Sequence, residues 1–168
     1  MKLLPVDRPD LLALATSWLT REENWKWLDF GGTGQPPTPA LVKIMTQLDT
    51  SLLRVFTADD DVTPIGVAGL THIHRQFKTA SVWVVLGDKS HARQGYSTRA
   101  YSKLITLGFH ELGLEAINTW AVEHNVSVEI GHRANFHLIG RQRRCHWVDG
   151  KPYDRLLFDL LPSEHREL

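Results

Sequence analysis

The sequence predicts a mixed α/β domain in which helices cover both faces of one twisted central sheet. Three observations predict this class. The apolar run Thr79–Leu86 is typical of a central strand buried on both faces. Residues Gly95–Leu112 have the apolar spacing of a long amphipathic helix. Asp149 and Gly150 stand between two alternating segments, a pattern that favours a β-hairpin. The length of 168 residues fits one domain.

The first 50 residues are predicted to be mainly helical. A short strand is expected over Lys2–Val6, and Asp7 then caps a helix with Pro9 in its first turn. Further along we expect a helical piece at Arg21–Leu28, a Gly/Pro loop at Phe30–Pro39, and a helix at Pro39–Leu48 capped by Thr38.

The remaining residues supply most of the predicted sheet. Two strands and the central strand are followed by the long helix, one more strand, a short helix and the hairpin. The predicted elements are Ser51–Thr57, Thr63–His72, Thr79–Leu86, Gly95–Leu112, Ala116–Val122, Ser127–Ala134, Phe136–Val148 and Lys151–Leu161.

Composition argues against several classes of protein. The 19 basic and 19 acidic residues balance, whereas a nucleic-acid-binding protein usually has a basic excess. Apolar runs such as Val82–Leu86 are far shorter than the roughly 20 residues needed to cross a membrane. Pro5 and Asp7 interrupt any signal-peptide core, and Cys145 is the only cysteine. We therefore expect a cytoplasmic protein that binds neither nucleic acid nor membrane.

The segment between the central strand and the long helix is predicted to bind a diphosphate. The first N–H groups of a helix have no intrahelical partner, and the helix dipole attracts an anion to them. Gly95 lets a ligand approach the backbone there, and Arg93 adds a positive charge. An ordinary polar loop is the alternative interpretation.

The segment from about Pro64 onward resembles the GNAT acyltransferase superfamily, most closely its RimJ/RimL-type subgroup of ribosomal-protein N-terminal acetyltransferases. The family's phosphate loop, (Arg/Gln)-x-x-Gly-x-(Gly/Ala), aligns with Ala92–Ser97. Residues 95–125 resemble the family's helix and strand in register, and residues 136–165 resemble its C-terminal hairpin. The N-terminal third is less specific.

This resemblance implies a GNAT-like fold whose fourth and fifth strands splay apart to admit acetyl-CoA. Residues 1–50 would form the acceptor side, and residues 51–168 would form the sheet and the acetyl-CoA site. Asn125 would contact the pantetheine arm. The residues implied to bind the pantetheine amides and the pyrophosphate are Val84, Val85, Leu86, Arg93, Gln94, Gly95, Tyr96, Ser97 and Thr98.

The resemblance also implies direct attack of an amine on the thioester. Many relatives have a tyrosine that protonates the leaving thiolate, but the aligned residue here is Gly131. Ser127 is our candidate for this proton donor, with a helix N-cap as its alternative role. His146 is the first candidate for the general base, because histidine titrates near neutral pH. Glu123 and His124 are rival candidates.

The acceptor is expected to be a primary amine, and the subgroup resemblance favours a protein N-terminal α-amine. Acetylation of a small-molecule amine, such as an amino sugar or an antibiotic, is one alternative. A non-catalytic acyl-CoA-binding module is the other alternative. Trp25, Trp27, Phe30 and the Gly31–Pro37 loop are predicted to cover the acceptor pocket, and His72 and His74 to line it. We expect no metal and a monomer or homodimer.

Overall fold

The computed structural model describes residues 1–30 and 34–168. The order of its elements agrees with the predicted order. They are β1 (Leu3–Pro5), α1 (Pro9–Leu19), α2 (Glu22–Trp25), α3 (Pro39–Met45), β2 (Leu52–Thr57), β3 (Pro64–His74), β4 (Thr79–Leu86), α4 (Tyr96–His110), β5 (Ala116–Val122), α5 (Ser127–Arg133), β6 (His137–Val148) and β7 (Lys151–Leu160).

One seven-stranded sheet forms the centre of the molecule, with the strand order β1-β2-β3-β4-β5-β7-β6. Every neighbouring pair is antiparallel except β4 and β5, which are parallel. Their pairing covers only Thr79–Ser81 on β4 and Ala116–Asn118 on β5. Over the rest of their described lengths the two strands make no ladder contact, which confirms the predicted splayed pair.

Two layers of helices bury the two faces of this sheet. Helices α4 and α5 cover one face, where the core contains Phe56, Leu104, Ile117 and Phe158. Helices α1 and α3 cover the other face, where a second core forms around Leu19, Val42, Val55 and Val67. Because side chains alternate along a strand, β4 contributes Val82 to the first core and Val85 to the second. Hydrophobic burial on both sides explains the continuous apolar run of β4.

Aromatic rings lie directly on the backbone of three glycines. Phe56 covers its cross-strand partner Gly66, and Trp83 covers its partner Gly69. A methyl group on Gly69 would stand 2.5 Å from Cζ2 of Trp83. The Trp18 ring of α1 rests on Gly87 in the same way. These glycines therefore provide space for large core side chains, a common device for packing a sheet.

The structure differs from the prediction mainly at element ends. The helix predicted over Arg21–Leu28 covers only Glu22–Trp25, and turns follow it. The Asn24 side chain donates to the carbonyl of Trp18 at 2.8 Å and holds this short helix against the end of α1. Strand β3 continues to His74 through an irregular register after Thr71. Among the residues described, no helix is both long and apolar enough to span a membrane.

Candidate active site

The gap between β4 and β5 is the candidate site for the pantetheine arm. Val84, Val85 and Leu86 all lie on β4 beyond the last residue that pairs with β5. The side chain of Val85 is buried in the α1 and α3 core, whereas Val84 and Leu86 are half-buried against the other core. The Val82 carbonyl points toward β5, and main-chain groups alternate in direction along a strand, so those of Val84 and Leu86 point toward the gap. The Val85 carbonyl instead points toward Gly66 of β3.

The loop after β4 leads into a helix start that fits a diphosphate. Gly95 stands at the N-cap of α4 with a φ of 80°, a left-handed conformation that glycine adopts readily. A methyl group built on Gly95 would meet no heavy atom of the described chain within 4 Å, so the space before the helix is open. Arg93, Gln94 and Ser97 stay accessible beside it. Open space, free N–H groups and a cation together suit an anionic ligand.

Tyr96 and Thr98 play a supporting part in this loop, because both side chains are buried. The Tyr96 hydroxyl donates to Asp59 at 3.3 Å, and Arg99 forms an ion pair with the same carboxylate at 2.9 Å. The Arg99 guanidinium also lies over the Tyr96 ring. Hydrogen bonding from Arg99 lowers the pKa of Asp59. These contacts tie the first turn of α4 to the loop between β2 and β3.

Asn125 connects β5 to α5 and determines the environment of Ser127. Its side-chain oxygen accepts hydrogen bonds from the backbone N–H of Ser127 at 2.9 Å and from the Ser127 hydroxyl at 2.7 Å. Ser127 is thus the first residue of α5, and the N-cap role considered for it is wrong. A methyl group on Gly131 would meet no described atom within 4 Å. The position that a tyrosine occupies in many relatives is therefore open.

His146 is a buried, fully bonded side chain, contrary to its predicted role as general base. The residue is only 6% exposed. Its Nε2 stands 2.7 Å from the carbonyl oxygen of Lys26, so Nε2 carries the hydrogen. Its Nδ1 accepts from the Arg155 guanidinium at 3.0 Å. Because both ring nitrogens are engaged, His146 has no free lone pair for a substrate proton.

Protonation of His146 is also disfavoured, which predicts pH-dependent stability. Burial, with a contribution from the charge of Arg155, lowers the pKa of His146. The folded state then binds this proton less tightly than the unfolded state does. The stabilising contribution of His146 to the unfolding free energy is therefore complete above the ordinary histidine pKa of about 6.5. This contribution is lost as the pH falls below that value. Urea unfolding at pH 7.5 and pH 5.0 measures the effect.

His146→Gln should reduce this pH dependence, because glutamine bridges Lys26 and Arg155 without titrating. His124→Gln is the matched control, since the His124 side chain is 83% exposed, and it should keep the wild-type dependence. If the unfolding free energy of His146→Gln changes between pH 7.5 and pH 5.0 as much as that of the wild type, the pH dependence does not come from His146.

Glu123 lies on the opposite side of the sheet from His146. It accepts from Arg141 at 3.0 Å and from the backbone N–H of Asp154 at 2.9 Å. His146 instead bonds Arg155, and adjacent residues of β7 project to opposite faces. The structure therefore does not bring the two base candidates together. His124 is largely exposed and 4.0 Å from Glu123.

A set of contacts holds the segment after α2 against the C-terminal hairpin. We call Lys26 and Asp29, together with His146, Asp149 and Arg155, the clamp. The Lys26 ammonium stands 3.4 Å from Asp149, and Asp29 pairs with Arg155 at 3.0 Å. In addition to these bonds, the Trp27 ring meets Tyr153 edge-on, and the Arg155 guanidinium lies 3.8 Å above the centre of the Trp120 ring.

The predicted acceptor residues occupy several different places. Phe30 contacts Trp83 of β4 edge-on, with ring centres 4.9 Å apart, and Trp27 belongs to the clamp region. Trp25 is half-buried on α2. Of the predicted Gly31–Pro37 loop, residues 31–33 lie outside the described residues.

The two histidines predicted to line the acceptor pocket lie elsewhere. His72 and His74 are exposed at the far end of β3, where His74 pairs with Thr79. Strands β4 and β5 separate only after Ser81, so the structure does not place these histidines with Phe30 or the clamp. In the described part of the chain, no three His, Cys, Asp or Glu residues are grouped closely enough to hold a metal ion.

The splayed β4 and β5 and the open start of α4 form the architecture expected of an acyl-CoA-binding domain. A family model for the acetyltransferase (GNAT) domain matches residues 1–135. The chain therefore belongs to the GNAT acetyltransferase family. The match includes the N-terminal third, where the motifs are least specific, and it ends before β6. The RimJ/RimL subgroup stays a prediction.

Individual relatives agree with this family. The chain is 32% identical over 115 residues to the probable N-acetyltransferase YjcK of Bacillus subtilis strain 168, which covers 67% of this chain. The matched region spans 62% of YjcK. Spermidine N-acetyltransferase SpeG of Vibrio cholerae, solved with CoA and spermine, superposes with a TM-score of 0.81 at 14% identity, covering 97% of this chain and 96% of that one.

Another solved structure, described as a probable acetyltransferase, has a TM-score of 0.73 at 23% identity and covers 96% of this chain and 91% of its own. At such low identities these structures support the fold alone. The single-domain GNAT fold is thereby confirmed.

Several residues of the site were not found from the sequence. Trp120, Arg155 and Asp29 meet at the clamp although they are widely separated along the chain. The alternation of side chains along β7 assigns Arg155 to one face of the sheet. Only the tertiary structure shows which residues contact it there. The one indication in the sequence is that β7 contains charged residues although it is a strand expected to pack against the core.

Proposed function

We propose that this protein transfers the acetyl group of acetyl-CoA to a primary amine carried by a small molecule. The clamp is the observation that carries the choice of acceptor. Its bonds join residues 26–29 to the β6–β7 hairpin. An extended polypeptide acceptor would need a groove between these two segments. A compact amine needs no such open groove.

Different residues of the site bind the diphosphate, align the pantetheine and polarise the thioester. Acetyl-CoA supplies the thioester that the amine attacks. The start of α4, with Gly95 and Arg93, holds the diphosphate, and the unpaired half of β4 aligns the pantetheine. Holding both substrates together supplies much of the rate enhancement through orientation. Main-chain N–H groups of β4 that face the gap polarise the thioester carbonyl.

The charges on the acceptor side favour an amine with a single positive charge. Asp29 is neutralised by Arg155, whose guanidinium also covers Trp120. No acidic residue occurs in the sequence between Asp29 and Asp49. A polyamine carries several ammonium groups, and each one needs a carboxylate or similar partner when it leaves water. We therefore propose a monoamine, in contrast to the spermidine of SpeG.

A protein N-terminal α-amine is the second candidate acceptor. The resemblance of residues 95–125 to the RimJ/RimL-type subgroup favours it. This function requires the clamp to open, because the peptide following the amine has to leave the site.

A panel of amines tests the two candidates. Release of free CoA thiol is measured with monoamines, amino sugars, polyamines and peptides with a free N-terminus. We expect at least one small monoamine to exceed every peptide and polyamine by about 100-fold or more in kcat/KM, which is the scale of about 3 kcal/mol in transition-state binding. A preference for peptides would overturn the proposed acceptor class. Absence of any thiol release, with acetyl-CoA bound, would favour a non-catalytic binding module.

The same assay tests the remaining catalytic candidates. We propose Ser127 as the proton donor to the leaving thiolate, because its half-buried hydroxyl lies at the start of α5. Its proton, which is donated to the Asn125 side-chain oxygen, would turn to the sulfur when the thioester breaks. Ser127→Ala should lower kcat about tenfold or more with little change in KM. Ser17→Ala, which removes an exposed hydroxyl on α1, is the matched control. Glu123→Gln should have a smaller effect, because Glu123 lies on the other face from the clamp; a loss of about 100-fold would assign the base to Glu123.

A further inference from the structure

The point at which β4 and β5 separate is held by a side chain. Main-chain pairing between the two strands ends at Ser81 and Asn118. The next carbonyl of β4, that of Val82, accepts a hydrogen bond from the hydroxyl of Thr119 on β5 at 2.9 Å. A hydrogen bond from a side chain, which we call the bridge, thus connects the strands just beyond the last main-chain pair.

Helix α4 packs against both strands. Tyr101 projects from this helix into the core, where it is 3% exposed, and it shares this core with Val82 and Ile117. The single hydroxyl proton of Thr119 is donated to the Val82 carbonyl, so Thr119 has none left for another acceptor.

This bond joins the two strands that border the predicted cofactor gap. It runs from Thr119 on β5 to Val82 on β4. The Val82 carbonyl is thereby occupied, so the first main-chain groups free to meet a ligand lie further along β4. The hydroxyl bridge also limits how far the two strands can separate at the closed end of the gap.

We propose that Thr119 is a positioning residue that sets the width of the gap between β4 and β5 for the pantetheine arm. The inference rests on the proposed use of acetyl-CoA. Thr119 belongs neither to the phosphate-loop motif nor to the predicted acceptor residues. Without the bridge, the Val82 carbonyl would compete for the pantetheine amides, and the end of the gap would vary in width.

Calorimetric titration of the free enzyme with acetyl-CoA tests this proposal. Thr119→Val keeps the shape of the side chain but removes the hydroxyl, and we expect the Kd to rise about tenfold, the scale of one or two lost hydrogen bonds. Thr119→Ser restores the hydroxyl and should bind within about twofold of wild type. Thr106→Val is the matched control, since this hydroxyl bonds Ser102 and His165 on the outer side of α4. It should lower the melting temperature without changing the Kd.

A Kd for Thr119→Val within twofold of wild type would overturn the proposal, as would failure of Thr119→Ser to restore binding. If Thr119→Val does not fold, Thr119→Ala carries the test, because it also removes the hydroxyl. We expect it to weaken binding about tenfold, and an unchanged Kd would again overturn the proposal. No acceptor is present in these titrations, so an incorrect acceptor class would leave their result unaffected.

Discussion

Gly95→Glu is expected to abolish the thermal stabilisation that acetyl-CoA gives to the wild-type protein. A ligand at 100 times its Kd stabilises the folded state by about 2.7 kcal/mol. For a domain of this size that corresponds to a shift of roughly 5–10 °C in melting temperature. The glutamate places a negative charge and a bulky side chain in the open space before α4, where the diphosphate is predicted to bind. We expect the shift in the variant to fall below about 1 °C.

Gly113→Glu is the control for this experiment. Gly113 follows α4 at its other end with a φ of 64°, and a methyl group there likewise meets no described atom within 4 Å. Both substitutions force a non-glycine residue into the left-handed region, at a cost of about 1–2 kcal/mol. Only Gly95→Glu changes the predicted diphosphate site before α4. Equal shifts with acetyl-CoA in the two variants would mean that the diphosphate binds elsewhere.

Gly66→Ala should destabilise the protein more than any other single methyl group added to the sheet. The new methyl group would overlap the Phe56 ring, which is fully buried, and would stand 2.6 Å from the backbone carbonyl oxygen of Val85. A ring can turn, but the carbonyl belongs to β4 and moves only with the strand. We expect the unfolding free energy to fall by about 3 kcal/mol or more, as for severe overpacking.

Urea unfolding measures this loss, and Gly140→Ala provides the comparison. Gly140 also lies in a strand, but its added methyl group would meet only Cδ1 of Leu157, at 3.9 Å. This ordinary contact should change the unfolding free energy by about 0.5 kcal/mol or less. Similar losses in the two variants would show that strand glycines are costly to replace here for reasons other than packing against Phe56.

The order of elements was predictable because their signals are local. The apolar run of β4, the helical spacing of α4 and the turn at Asp149 and Gly150 each depend on neighbouring residues, and each was confirmed. Gly95 was found in the same way, since a glycine at a helix start has a direct conformational meaning. The shortened α2 was not predictable, because its end depends on Asn24 reaching back to Trp18.

The environment of the catalytic candidates could not be inferred in this way. The position of His146 on a strand gives its side-chain direction but not the carbonyl of Lys26 that covers it, 120 residues earlier. Alternation predicted neither that Arg155 would occupy its second nitrogen nor that Glu123 would lie on the other face. Such facts depend on the docking of the N-terminal segment, which spacing within a single element does not encode.

The clamp also sets an order of events during synthesis. Lys26 and Asp29 leave the ribosome well before His146, Asp149 and Arg155, and at typical elongation rates the roughly 120 intervening residues take on the order of 10 s. Throughout that interval the α2 region has no hairpin to dock on, whereas the residues of β4 and α4 follow it much sooner. The proposed acceptor side is therefore the last part of the candidate site to mature in the nascent chain. Truncation within the hairpin would leave Trp27 exposed on every newly made molecule, where chaperones recognise such apolar surface.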